Sequence, residues 1–149
     1  MKTPILTLIA TLALALPAYT GNNHSHEKKV AGPNGGRIMK AIVPQAEFFV
    51  TSDRKVQITF LSEDGKAIAP AAQSVTVTAG ERSAPTKLTF VKSGDTLISE
   101  QPLPDGNDFP TVVQIKVTPE AKAVAVKFNL NLSECPGCKL KEYACICSH

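Results

Sequence analysis

Downstream of residue 37 the chain alternates apolar and polar residues in short runs, separated by turn-forming residues. Val56, Ile58 and Phe60 alternate with Gln57 and Thr59 and run into an Asp64-Gly65 turn, and Val75 and Val77 alternate with Thr76 and Thr78 up to Gly80. Leu88 and Phe90 flank Thr89, and Ser93-Gly94-Asp95 turns the chain into Thr96-Leu97-Ile98. Val113, Ile115 and Val117 alternate with Gln114, Lys116 and Thr118, and Val124, Val126, Phe128, Leu130 and Leu132 follow with the same period. With residues 38–43 and 47–51 this makes about eight candidate strands. A period of two places the Val, Ile, Leu and Phe set on one face of a sheet and leaves the Thr, Lys and Gln set wet. Two such faces make a core, and the spacing predicts an all-β antiparallel sandwich over residues 37–132. No stretch carries a helical period. Pro70, Pro85, Pro102, Pro104, Pro110 and Pro119 mostly fall between the runs, where a missing N–H costs no ladder bond.

The N-terminal part is patterned differently. Met1-Lys2 is followed by an apolar run at 5–16, broken only by Thr7 and Thr11, and then by the small residues of Pro17-Ala18-Tyr19-Thr20-Gly21. This predicts a Sec-type signal peptide over 1–20, cleaved after Ala18 or Thr20. The run is shorter than the ~20 residues a membrane-spanning helix needs. No cysteine stands near the cleavage region to accept a lipid, and no other run is long enough to span. The expected mature chain is therefore periplasmic or secreted, without a transmembrane segment. Residues 21–36 are polar or turn-forming and read as a flexible leader. His24-Ser25-His26 within it reads either as a weak transition-metal capture motif or as plain solvated leader.

Composition narrows the functions. A chain of 149 residues with 43% hydrophobic and 19% charged residues fits one packed domain and excludes a multidomain enzyme. The net charge of +3 is spread along the chain, Trp is absent, and there are 2 Tyr and 6 Phe, so a nucleic-acid footprint is not expected. No nucleophile elbow, zinc-protease helix, P-loop or dinucleotide fingerprint occurs, and the expectation is a protein that is not an enzyme. Glu63-Asp64 reads as a solvated turn, and Asp105-Gly106-Asn107-Asp108 lacks the spacing and closing Glu of a Ca²⁺ loop. All three histidines, His24, His26 and His149, lie outside the predicted sandwich.

The specific chemical signal is the tail, 133–149. It holds all four cysteines, as Cys135-Pro136-Gly137-Cys138 and, six residues on, Cys145-Ile146-Cys147-Ser148-His149. A C-x-x-C turn points two sulfurs at one centre, and the C-x-C pair supplies two more. Four thiolates close a tetrahedral site, and His149 is able to replace one of them. Zn²⁺ suits four such ligands, and soft thiolates also select Cu(I). An even cysteine count in an exported chain offers two disulfides as the alternative reading, although each would close only a short loop within the tail. A third reading, a redox pair with Cys135 attacking, lacks the helix that lowers a thiol pKa. In the metal reading, Cys-to-Ser changes abolish metal binding and leave a folded sandwich. In the disulfide reading, the module recruits a partner, such as another protein of the cell envelope, through a sheet edge.

Across residues 34 to about 118 the order of features resembles the small Ig-like β domain associated with periplasmic adaptor proteins of heavy-metal efflux systems. The matching pieces are Gly35-Gly36-Arg37-Ile38, Glu47-Phe48-Phe49-Val50, Val56-Gln57-Ile58-Thr59-Phe60 and Asp64-Gly65-Lys66-Ala67-Ile68-Ala69-Pro70. That family commonly has His before the Gly-Gly pair, where this chain has Asn34, and the helical hairpin and barrel of a full adaptor are absent. The resemblance implies an Ig-like sandwich of about 7–8 strands connected with envelope metal handling, and the cysteine tail is not part of it.

Overall fold

The computed structural model describes residues 29–148. The expected signal peptide, residues 21–28 of the leader with His24 and His26, and His149 lie outside the described residues.

The described chain is all-β apart from one 3-10 turn, Glu142–Ala144. Its strands are β1 (Arg37–Met39), β2 (Gln45–Val50), β3 (Val56–Leu61), β4 (Ala67–Ile68), β5 (Ser74–Ala79), β6 (Thr86–Leu88), β7 (Phe90–Ser93), β8 (Thr96–Ser99), β9 (Asp108–Lys116) and β10 (Val124–Asn131). They form two antiparallel sheets. The larger runs β1-β2-β3-β8-β7, with β4 also paired to β3, and the smaller runs β10-β9-β5-β6.

The alternation read from sequence is clearest in β9, where Phe109, Thr111, Val113 and Ile115 are buried and the residues between them are not. Its neighbours hold the same register. Val113 stands opposite Val77 on one side and Val126 on the other, and Ile115 opposite Val75 and Val124. Apolar side chains thus line up across three strands. Each fully buried Val or Ile contributes about 1.5–3 kcal/mol of transfer free energy. One buried cluster takes Phe48, Ile58 and Phe60 from the larger sheet and Val77, Val113 and Ile115 from the smaller. Phe48 of β2 and Phe128 of β10 meet edge to face across the sheets, ring centres 5.2 Å apart.

Two expected runs divide. Leu88 and Phe90 share one alternation in the sequence, yet β6 belongs to the smaller sheet and β7 to the larger. The chain changes sheets at Thr89, whose N–H donates to the Gln101 side chain at 3.2 Å and whose carbonyl accepts from Glu100 N–H at 2.9 Å. These bonds satisfy the backbone where neither ladder does. The run expected over 38–43 is a strand only to Met39, after which the chain turns and Ile42 packs into the core from the turn. Pro110 lies inside β9 rather than between strands. Its carbonyl accepts from Gly80 N–H at 3.2 Å, just past the end of β5. A residue's N and carbonyl point to the same side of a strand, so the missing N–H falls where the β5 ladder has already stopped.

Residues 32–36, placed by sequence in the leader, fold back over β2. The carboxylate of Glu47 is fully buried there and accepts from Asn34 N–H at 2.9 Å, Asn34 Nδ2 at 2.7 Å and Gly36 N–H at 2.8 Å. A Cβ on Gly36 would lie 2.3 Å from the Phe48 carbonyl oxygen, so only glycine admits this approach. Both donors of Asn34 hold Glu47, which makes this turn a structural clasp.

Candidate metal centre

Beyond β10 the chain forms a tight hairpin. Glu134 and Lys141 make an isolated antiparallel bridge, Cys135 N–H donates to the Leu140 carbonyl at 2.7 Å, and Lys139 N–H donates to the Cys135 carbonyl at 2.9 Å. Pro136-Gly137 makes the tip, and Lys139 adopts a left-handed conformation with φ 63° to close it. The hairpin sets Cys135 and Cys138 on one side. The 3-10 turn then reverses the chain and brings Cys145 and Cys147 over the same side.

The result is a single cluster. All four sulfurs lie within 4.8 Å of one another. Cys135 and Cys145 are 3.3 Å apart, Cys138 and Cys145 3.6 Å, and Cys135 and Cys147 3.9 Å. A tetrahedron built on Zn–S bonds of ~2.3 Å has edges of roughly 3.8 Å, so the four sulfurs already stand close to the corners a single ion requires. All four are free thiols. Cys135 is buried and the other three are partly exposed. Gly137 sits so close that a Cβ on it would lie 2.9 Å from the Cys147 sulfur. The tip is therefore glycine because a sulfur occupies the side-chain position.

No family model, curated protein or solved structure matches the chain. The chemistry of the centre rests on its own donor atoms.

Backbone N–H groups face the sulfurs. Those of Ile146 and Leu140 bond to Cys138 and hold its pKa down to about 6. The N–H of Cys147 donates to the Cys145 sulfur at 3.3 Å. Cys145 is pushed the other way, up to about 12, chiefly because its proton is shared with Cys135. Four sulfurs this close cannot all ionise beside one another without a cation to balance them. A soft divalent or monovalent ion would supply that balance and displace the remaining protons.

The centre is fastened to the sheets by Tyr143, which lies between the two cysteine pairs. Its ring is buried and meets Phe48 edge to face at 5.7 Å. Its hydroxyl accepts from Val50 N–H at 3.0 Å, and its carbonyl accepts from Arg37 Nη1 at 3.3 Å. The Arg37 guanidinium lies 4.9 Å above the Phe128 ring, and burial lowers its pKa. Burial also raises the Tyr143 phenol to about 12. The turn touches both β1 and β10, the edge strands of the two sheets, so the cysteine hairpin closes the side on which those edges meet.

The four predicted cysteine ligands are brought together. Tyr143 and Arg37 were missed by sequence reasoning. The available signal was a lone aromatic between the two cysteine pairs, which no periodicity marks as core.

Proposed function

We propose that this chain is an exported, non-enzymatic binding protein that holds one Zn²⁺ or Cu(I) ion through Cys135, Cys138, Cys145 and Cys147, on an Ig-like sandwich, in envelope metal handling. The observation that carries the reading is the approach of four free thiols to within 4.8 Å of one another. The edge lengths suit a tetrahedral ion, which favours Zn²⁺, and an all-sulfur donor set also suits Cu(I). Export rests on the N-terminal pattern, and the link with envelope metals on the resemblance of residues 34 to about 118. Three partly exposed sulfurs support a site that exchanges its ion with its surroundings.

Native mass spectrometry of the protein exported into an oxidising compartment tests this. The expected mass is that of the chain without its signal plus one metal ion, with thiol protons displaced, and a Cys138→Ser, Cys147→Ser double variant loses the ion while the sheets stay folded. A metal-free mass short by four hydrogens overturns the metal reading. It favours instead a disulfide module, with Cys135–Cys147 and Cys138–Cys145 as the pairing that joins two of the close contacts without sharing a sulfur.

A further inference from the structure

A cleft of about 310 Å³ opens beside the cysteine centre, between Lys29 and Val30 on one side, β1 on another, and residues 143–146 on the third. Three features of it are independent of one another. Among the described residues its lining is one-sided in charge, with Lys29, Arg37 and Lys40 and no carboxylate. Arg37 uses one donor on the Tyr143 carbonyl, and a guanidinium carries five. Its mouth is apolar. Val30 and Ile146, 57% and 39% exposed, are two of the five large hydrophobic residues that stand exposed among the described residues, and both line this cleft. Its wall is a sheet edge. β1 pairs along one side with β2, and on the other side Ala31 bridges Arg37 and the 3-10 turn packs against the strand, while Ile38 and Met39 pair with no further strand among the described residues.

A cleft this size is at the small end for a pocket that engulfs a whole ligand, roughly 300–1,000 Å³. It accommodates one anchoring side chain. An open strand edge supplies backbone hydrogen bonds to an extended chain, with specificity from alternate side chains. We propose that the cleft docks an extended acidic segment of a partner protein, which adds as a strand to the outer edge of β1, seats an apolar side chain against Val30 and Ile146, and pairs carboxylates with Lys29 and Arg37. Such a segment lies against Cys145 and Ile146, so the partner reaches the metal ligands directly. That last consequence rests on the metal reading, whereas the docking itself does not.

The test uses the full exported chain and a labelled decapeptide of alternating glutamate and valine, with its lysine-valine counterpart as control. The acidic peptide binds at least tenfold more tightly than the basic one. Amide shifts on binding fall on residues 29–30, 37–41 and 143–146. A Lys29→Glu, Val30→Asp variant weakens binding at least tenfold with its metal content unchanged. No binding, equal binding of the two peptides, or shifts along the β6 or β7 edge overturns the proposal. Binding that appears only after residues 21–28 are deleted also overturns it, and assigns the cleft to the chain's own leader. A protein that binds the acidic peptide but never holds a metal refutes the metal reading alone, and one that holds metal but ignores the peptide refutes the docking alone.

Discussion

Gly137 shows how one missing side chain shapes the centre. Its α-carbon faces the Cys147 sulfur so closely that a methyl group at 2.9 Å has to displace the sulfur or the hairpin tip. A Gly137→Ala variant is expected to keep its fold and the other three ligands, and to bind Zn²⁺ ~10-fold more weakly, the lower end of what misplaced support around a ligand costs. Competition against a chromophoric chelator reads this directly. Unchanged affinity means that Cys147 is not a ligand. The residue scale is also where sequence reading was most uneven. The four cysteines announce themselves by spacing, and the Asn34-Gly35-Gly36 turn by its glycines. The partner of that turn, Glu47, does not. A glutamate inside an apolar run reads as a wet face, and only the folded-back loop shows that three N–H bonds hold it in the interior.

At the scale of elements, the strands were legible wherever one face is buried and the other wet. β9 and β5 alternate without exception; the limits of β5 were close to those expected, whereas β9 begins at Asp108, five residues before the run that starts at Val113 in the sequence, and includes Pro110. The division at Thr89 was not legible, because a chain crossing from one sheet to the other keeps its period of two while exchanging its hydrogen-bonding partners. The docking of the cysteine hairpin was hidden for another reason. It depends on Tyr143 reaching residues about 93 positions away, at Val50, and no local pattern encodes such a contact. Tyr143→Phe tests how much that hydroxyl contributes. Phenylalanine keeps the ring against Phe48 and leaves Val50 N–H without its acceptor, so urea unfolding is expected to report a loss of about 1–2 kcal/mol. Zinc affinity stays close to that of the parent, since no ligand is touched. A loss below the precision of the measurement means that water replaces the hydroxyl at no cost.

For the whole molecule, the hairpin joins the edges of two sheets, so in the proposed metal reading an ion held by the hairpin is linked to global stability. A ligand that binds only the folded state stabilises it by ~4 kcal/mol at a thousand times its dissociation constant. The midpoint of thermal unfolding is expected to rise with free Zn²⁺ and to fall when a chelator is added. The two-sheet core, with Phe48, Ile58, Val113 and Ile115 all at 0% exposure, is expected to keep the stripped protein folded at room temperature. A midpoint indifferent to metal means that the cysteine cluster and the sheets unfold as separate units.

Tyr143 also makes the centre optically addressable. The chain has no Trp and only 2 Tyr, and the other, Tyr19, falls in the expected signal peptide. Once that segment is removed, the tyrosine emission near 300 nm comes from the one ring packed edge to face on Phe48, two residues before Cys145. Its brightness and polarisation then gauge, without any label, whether the cysteine hairpin is docked on the sheets. Stepwise addition of Zn²⁺ to stripped protein is expected to change that emission to a single plateau at one equivalent, and a flat titration means that the ring does not sense the ion.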